Sequence, residues 1–233
     1  MGDDAAMLGI VTSANVACGA HAGDPEVMYR TLVLARERGV VVGAHPGYAD
    51  REGFGRRVIP MQPAEIGRMV AAQVGALLGI ARLAGVSVAY VKAHGALGNL
   101  AAADESVAQA VADAAAALGL PVLAISGTAL ERVCRARGDR VFSEVFADRA
   151  YLPDGQLVPR SRAGAVIHDA AAAADRLAAF LRSGEMPCLD GRSVRLAAES
   201  VCVHGDTPGA VAMARVVRAR LEAEGIAIGA FLG

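Results

Sequence analysis

The sequence predicts an α/β fold of parallel strands, and three observations carry that expectation. Valine-rich runs of strand length alternate with longer segments of helical period, the alternation repeats six times, and polar residues gather where the runs end. Strands separated by helices of this length form parallel βαβ units with right-handed crossovers, and a barrel is the closed form of such a sheet. At 233 residues the chain fits one domain, 1–233, because α/β barrels commonly exceed about 200 residues without splitting.

The first unit runs from Val11–Cys18 into Pro25–Arg38. Between them Gly19 and Gly23 permit a tight backbone. Asp24 is placed to cap the helix, and Pro25 fills its first position, where a missing N–H costs nothing. Val40–Ala44 leads to Pro63–Leu83, in which Ile66, Val70, Val74, Leu77 and Ala81 recur near every fourth residue as one apolar stripe that must lie on a sheet. Val86–Lys92 precedes Asp104–Leu118. Pro121–Ser126 with Thr128–Arg137, Val141–Phe146 with Ala170–Arg182, and Ser200–His204 with Pro208–Glu224 complete the series. Two connections, Pro46–Pro60 and Tyr151–Gly164, exceed the ~2–6 residues usual for βα loops, and length there suggests function.

The 54% apolar fraction is carried largely by alanine and valine, with no Trp and five Phe, so helices and strands should pack closely through small side chains. A formal charge of −1 offers no argument for nucleic acid or an anionic membrane. Cys18, Cys134, Cys188 and Cys202 have no CxxC spacing and read as small core residues. With no charged-then-apolar leader in the given sequence, reduced thiols and a cytoplasmic location are expected. A charge-free apolar run of about 18 residues is lacking, so no membrane span is expected.

Four of the five histidines, His21, His45, His94 and His204, sit at or just past a strand end. One such histidine is ordinarily structural; four at the converging ends of parallel strands point to a shared site. Around them fall Asn15, Asp24, Asp50, Lys92, Asn99, Glu144, Asp148, Arg149, Arg160 and Asp206. Lys92 ends an apolar strand, which is costly unless it meets a carboxylate or an anionic ligand. The turn from Gly53 to Arg57 sets backbone N–H groups beside Arg56 and Arg57, suited to a carboxylate or phosphate. HExxH and CxxC spacings are absent, so metal content is left unknown. A divalent ion held by histidines from different strands stays open, and with it a metal-dependent deacetylase or sugar hydrolase. No Walker A, GxGxxG or GxSxG pattern occurs.

Taken in order, SANVACGAHAGDP (13–25), GAHPGYAD (43–50), GFGRR (53–57), VKAHGALGN (91–99), EVFADRAY (144–151), LVPRSRAGAVI (157–167) and CVHGDTPGAV (202–211) resemble the LamB/YcsF family over essentially the whole chain. The resemblance implies a seven-stranded (β/α) barrel of the glycoside hydrolase/deacetylase type. It also implies work with the two other subunits, B and C, of a 5-oxoprolinase, opening 5-oxo-L-proline to L-glutamate with ATP as co-substrate; with no phosphate loop in this sequence, ATP is expected to be engaged mainly by partners or by an unconventional surface. The family's polar strand ends fall on Asn15, His21, Asp24, His45, Asp50, Lys92, His94, Asn99, Glu144, Asp148, Arg149, Arg160, His204 and Asp206. On that basis His21, Asp24, His45, His94, His204 and Asp206 are the expected acid–base residues. Asn15, Lys92, Asn99, Arg56, Arg57, Glu144, Asp148 and Arg160 are expected to hold substrate. A non-catalytic subunit that only binds 5-oxoproline is the alternative of another class.

Ala20, Ala93 and Gly98 stand where the family has Phe, Pro and Tyr, so looser pocket walls are expected. Family members open with a strand reading roughly Asp-Leu-Asn-x-Asp-x-Gly-Glu, and this sequence starts downstream of it. The expectation is a barrel truncated by its first strand, with Met1 internal to a longer reading frame, six strands, two bare edges, and poor stability or activity alone.

Overall fold

The computed structural model describes residues 4–205 and 209–232. Its central sheet has six parallel strands, ordered β1 (Ser13–Ala17), β2 (Val41–His45), β3 (Val88–Val91), β4 (Val122–Ile125), β5 (Val141–Phe146) and β8 (Ser200–Cys202). Each is one of the six valine-rich runs. The seven strands implied by family likeness are not found: among the described residues β1 and β8 are the two edges of the sheet. Residues from both edges, Asn15 and Ala17 on one and Cys202 and Val203 on the other, line the same cavity, so the sheet is curled into a half-barrel.

Helices α2 (Pro25–Glu37), α3 (Pro63–Ala84), α5 (Glu105–Ala117), α6 (Ala129–Arg137), α7 (Ala170–Ser183) and α8 (Ala210–Ala223) lie within a few residues of the periodic segments. The α3 stripe of Ile66, Val70, Val74, Leu77 and Ala81 is buried, as its spacing requires. Of the described helices α3 alone has the length and apolarity to cross a bilayer. Here that stripe belongs to the core, and α3 packs on α2 and α5. Small residues set the approach: a Cβ on Gly67 would lie 3.3 Å from the Ala110 carbonyl oxygen.

Four elements fall outside the periodic reading. These are α1 (Asp4–Leu8), α4 (Gly95–Ala103), and an antiparallel pair β6 (Glu185–Pro187) and β7 (Ser193–Arg195) outside the main sheet. The apolar core divides at β5, with one cluster under α2 to α6 and a second under α7 and α8.

Register places the site. Asn15 pairs with Gly43, Ala17 with His45, Glu144 with Ser200, and Phe146 with Cys202, so these residues share levels inside the curl. Between β2 and β3 the register shifts at Val42/Gly43, bringing Tyr90 opposite Gly43. A Cβ on Gly43 would fall 2.1 Å from the Tyr90 ring. Glycine there lets the ring cross β2, and the Tyr90 hydroxyl donates to Asn15 Oδ1 at 2.9 Å. Phe231 packs edge-on against Tyr90 and Phe142, with ring centroids 5.1 and 5.0 Å away.

Gly43→Ala therefore forces Tyr90 out of its slot. We expect a loss of about 1–3 kcal/mol in urea denaturation, the usual cost of overpacking a core. Gly79→Ala, where nothing lies within 4 Å of the added carbon, should be neutral or stabilising.

Candidate active site

Three loops assemble the site at the carboxyl ends of the strands. The turn after β1 carries His21 and is tied down by Arg51, whose Nη2 donates to the Gly19 and Gly23 carbonyls at 2.7 Å each. The connection after β2 brings Phe54, and the turn after β3 brings His94, which sits at the N-cap of α4. Phe54 is the one non-glycine with positive φ (53°) among the described residues. Backbone strain of this kind collects at functional sites; here it turns the Phe54 carbonyl toward His94.

His45, His94 and two main-chain carbonyls form a chain. His45 Nδ1 lies 2.7 Å from the Lys92 carbonyl oxygen, His45 Nε2 lies 3.0 Å from His94 Nδ1, and His94 Nε2 lies 2.7 Å from the Phe54 carbonyl oxygen. His21 stacks on His94 with centroids 3.9 Å apart and planes 8° apart. Burial is the main cause holding His21 down to about 3, with His94 and Arg51 adding repulsion. His45 is held well below the usual imidazole range by burial, then by His94, Lys92 and His21.

A second group lies deeper. The Lys92 ammonium pairs with Glu144 and donates to Cys202 Sγ at 3.2 Å, over the Phe146 ring at 5.0 Å. Only 8% of the Lys92 side chain and 3% of the Glu144 side chain are exposed. Burial penalises the ammonium, yet Cys202 and Glu144 hold it above its ordinary range. Burial pushes the Cys202 thiol up to about 12 against the pull of Lys92. Ser200 Oγ donates to Glu144 Oε1 at 3.2 Å.

The third group is a dyad. His204 Nδ1 contacts both Asp148 carboxylate oxygens, at 2.8 and 3.0 Å. Burial raises Asp148, but His204 and Arg160 outweigh it and leave the carboxyl below its ordinary range. Buried Arg149 donates to the Ala165 and Val158 carbonyls and is lowered to about 10, by burial first and Arg160 next.

One cavity of about 670 Å3 joins these groups. Of the residues singled out from sequence, it is lined by Asn15, His21, His45, Arg56, Lys92, His94, Asn99, Arg149, Arg160 and His204. Glu144 and Asp148 stand behind it as partners of Lys92 and His204. Asp24 lies elsewhere, capping α2 by accepting from the Val27 N–H at 2.9 Å. Arg57 and Asp50 pair with each other beside the site and do not line the cavity. Asp206 lies outside the described residues.

Sequence reasoning missed Cys202, Ser200, Phe54 and Arg51. Cys202 and Ser200, both on β8, stand two and four residues before His204, and that period of two was a usable signal. Nothing local marks the Phe54 carbonyl. Among the described residues no three His, Cys, Asp or Glu side chains converge as metal ligands. His45 and His94 also spend their ring nitrogens on carbonyls and each other, so this donor set does not fit a divalent ion.

The family model described as LamB/YcsF matches residues 1–232. The chain is 52% identical over 230 residues to the A subunit of the 5-oxoprolinase of Gluconobacter oxydans (strain 621H), covering 98% of this chain and 91% of that protein. It is 51% identical over 233 residues to a 5-oxoprolinase A subunit of Agrobacterium fabrum, the one numbered 1, covering 99% and 91%. Among solved structures, the lactam utilization protein of Thermus thermophilus superposes with a TM-score of 0.92 at 40% identity, over 99% of this chain and 93% of that one.

Glu144→Gln leaves a buried ammonium without its counter-ion, and we expect a loss of about 3–5 kcal/mol by chemical denaturation. Replacing both partners, Lys92→Met with Glu144→Leu, should recover most of it. His21 titrates lower folded than unfolded, so its contribution is complete above about pH 6.5 and is lost as pH falls toward 3. A His21→Asn variant should therefore lose stability less steeply than the parent across that window in acid denaturation.

Proposed function

The chain belongs to the LamB/YcsF family, and from that membership we propose that it is the A component of an ATP-dependent 5-oxoprolinase, hydrolysing the lactam of 5-oxo-L-proline to L-glutamate with subunits B and C. The observation that carries this reading is the cavity. Four imidazoles from four strand ends meet there beside guanidinium groups, in a chain about half identical to proteins named as the A subunit of 5-oxoprolinase.

A five-membered lactam is an unreactive amide carrying one carboxylate. Arg56, Arg149 and Arg160 at the cavity wall suit that carboxylate, or a phosphoryl group placed on the amide oxygen to make the carbon a better electrophile. This chain carries no phosphate loop, so the reading assigns ATP to the partner subunits or to an unconventional surface. His204 gives its Nδ1 hydrogen to Asp148, which leaves Nε2 to accept a proton from water. Asp148 stabilises the imidazolium that forms, and the same ring returns the proton to the leaving nitrogen. Lys92 is committed to Glu144, so it supplies positive potential to the cavity floor in place of a free donor.

The test is glutamate release from 5-oxoproline by the purified chain with ATP and subunits B and C. We expect His204→Asn to lower kcat by about 10²–10⁴ and Arg160→Ala to act mainly on KM. Absence of ATP-dependent glutamate release from the complete mixture would overturn the reading. Unchanged turnover in His204→Asn, with weaker 5-oxoproline binding, would make this chain a substrate-holding subunit.

A further inference from the structure

The ends of the His45–His94 chain are fixed by groups that can only accept. His45 Nδ1 faces the Lys92 carbonyl and His94 Nε2 faces the Phe54 carbonyl, each at 2.7 Å, so both nitrogens carry hydrogen. Were both rings neutral, His45 Nε2 and His94 Nδ1 would then be two bare lone pairs 3.0 Å apart in a buried setting. A third proton turns that repulsion into a charge-assisted N–H···N bond. Two rings holding three protons carry one positive charge. That charge is shared across the N–H···N bond between His45 Nε2 and His94 Nδ1, so part of it lies on His94.

His21 lies flat on that ring, and the Phe54 ring closes edge-on over both. A cation against an aromatic face attracts the neutral imidazole and repels the charged one. Arg51 opposes a charge on His21 as well. Lys92, with its Glu144 counter-ion, also bears on these rings, and Arg56 lies over the Phe54 ring beside them, 5.3 Å from its centroid. His21 Nδ1 is buried without a hydrogen-bond partner, and a Cβ on Gly47 would sit 2.9 Å from it, so access to that atom is shut. An unmet acceptor costs less there than an unmet N–H, which puts the hydrogen of a neutral ring on Nε2.

We infer that the His45–His94 pair holds one resident positive charge, with His94 donating to the Phe54 carbonyl and His45 to the Lys92 carbonyl, and that this charge keeps His21 neutral so that His21 meets a substrate oxygen as an uncharged Nε2–H donor. His94 and His45 are positioning residues; His21 is the group that touches the ligand. A neutral donor steadies charge growing on the lactam or phosphoryl oxygen without giving up its proton, and proton transfer is left to His204 and Asp148. The substrate-facing half of this inference rests on the lactam-hydrolase reading; the protonation half does not.

The experiment is 15N NMR of the full chain labelled at histidine, with ring signals assigned by single substitutions. At pH 7 we expect three ring hydrogens on the His45–His94 pair, one on His45 Nδ1, one on His94 Nε2 and one shared between His45 Nε2 and His94 Nδ1, and hydrogen on Nε2 only of His21. In His94→Gln the protonation midpoint of His21 should rise by about one pH unit or more, and the acid limb of the glutamate-release profile should move up with it. Phe54→Leu keeps the carbonyl and should leave the His94 pattern unchanged. A His45–His94 pair holding only two ring hydrogens at pH 7 overturns the inference whether or not His94→Gln folds, as does an unmoved His21 midpoint in a folded His94→Gln. The expected spectra from a protein that releases no glutamate would sink the lactam-hydrolase reading and leave the protonation pattern standing.

Discussion

A single lysine ties the two halves of the site together. Its ammonium reaches from the end of β3 across the interior of the curl to Glu144 on β5 and Cys202 on β8. Its carbonyl receives His45 from β2. Strands that are not neighbours in the sheet are thus held to one another by the need to keep a nearly water-free charge compensated. Curling the sheet is the geometry that satisfies the pair, and the same curl brings remote strand ends within reach of one small molecule. The Ser200 hydroxyl, donating to the same carboxylate, fixes the edge strand in that arrangement.

Around this floor the four imidazoles are differentiated by what lies against them. His204 is backed by a carboxylate, His45 and His94 are clamped between carbonyls, and His21 is pressed between a ring and a glycine-lined loop. The residue type repeats, but the partner decides whether each ring moves a proton, holds one, or only offers one. Much of that partnering comes from the connection after β2, where Phe54 takes a left-handed backbone to present both its carbonyl and its ring. Length in that loop, conspicuous in the sequence, is explained by its work as a wall of the cavity.

Long-period features of the fold were legible in the sequence. All six strands and the six long helices announce themselves, because burying one stripe of a helix or both faces of a strand imposes a pattern many residues long. The α3 stripe is the clearest case. Other elements leave no such trace: α4 begins at Gly95 just past β3, with His94 as its N-cap, and β6 and β7 have three residues each. At the site, the convergence of the histidines could be read from topology, since each follows a strand. Division of labour could not, because Asp24 serves a helix N–H, Asp50 serves Arg57, and Asp148 serves His204. These are three aspartates in similar loop positions, distinguished only by side-chain reach in three dimensions.

Phe231 sits against Tyr90 and Phe142. Tyr90 in turn holds Asn15 at the cavity wall. Phe231 thus acts as a wedge behind that wall: it does not line the cavity itself, yet removing its ring would be felt there through Tyr90.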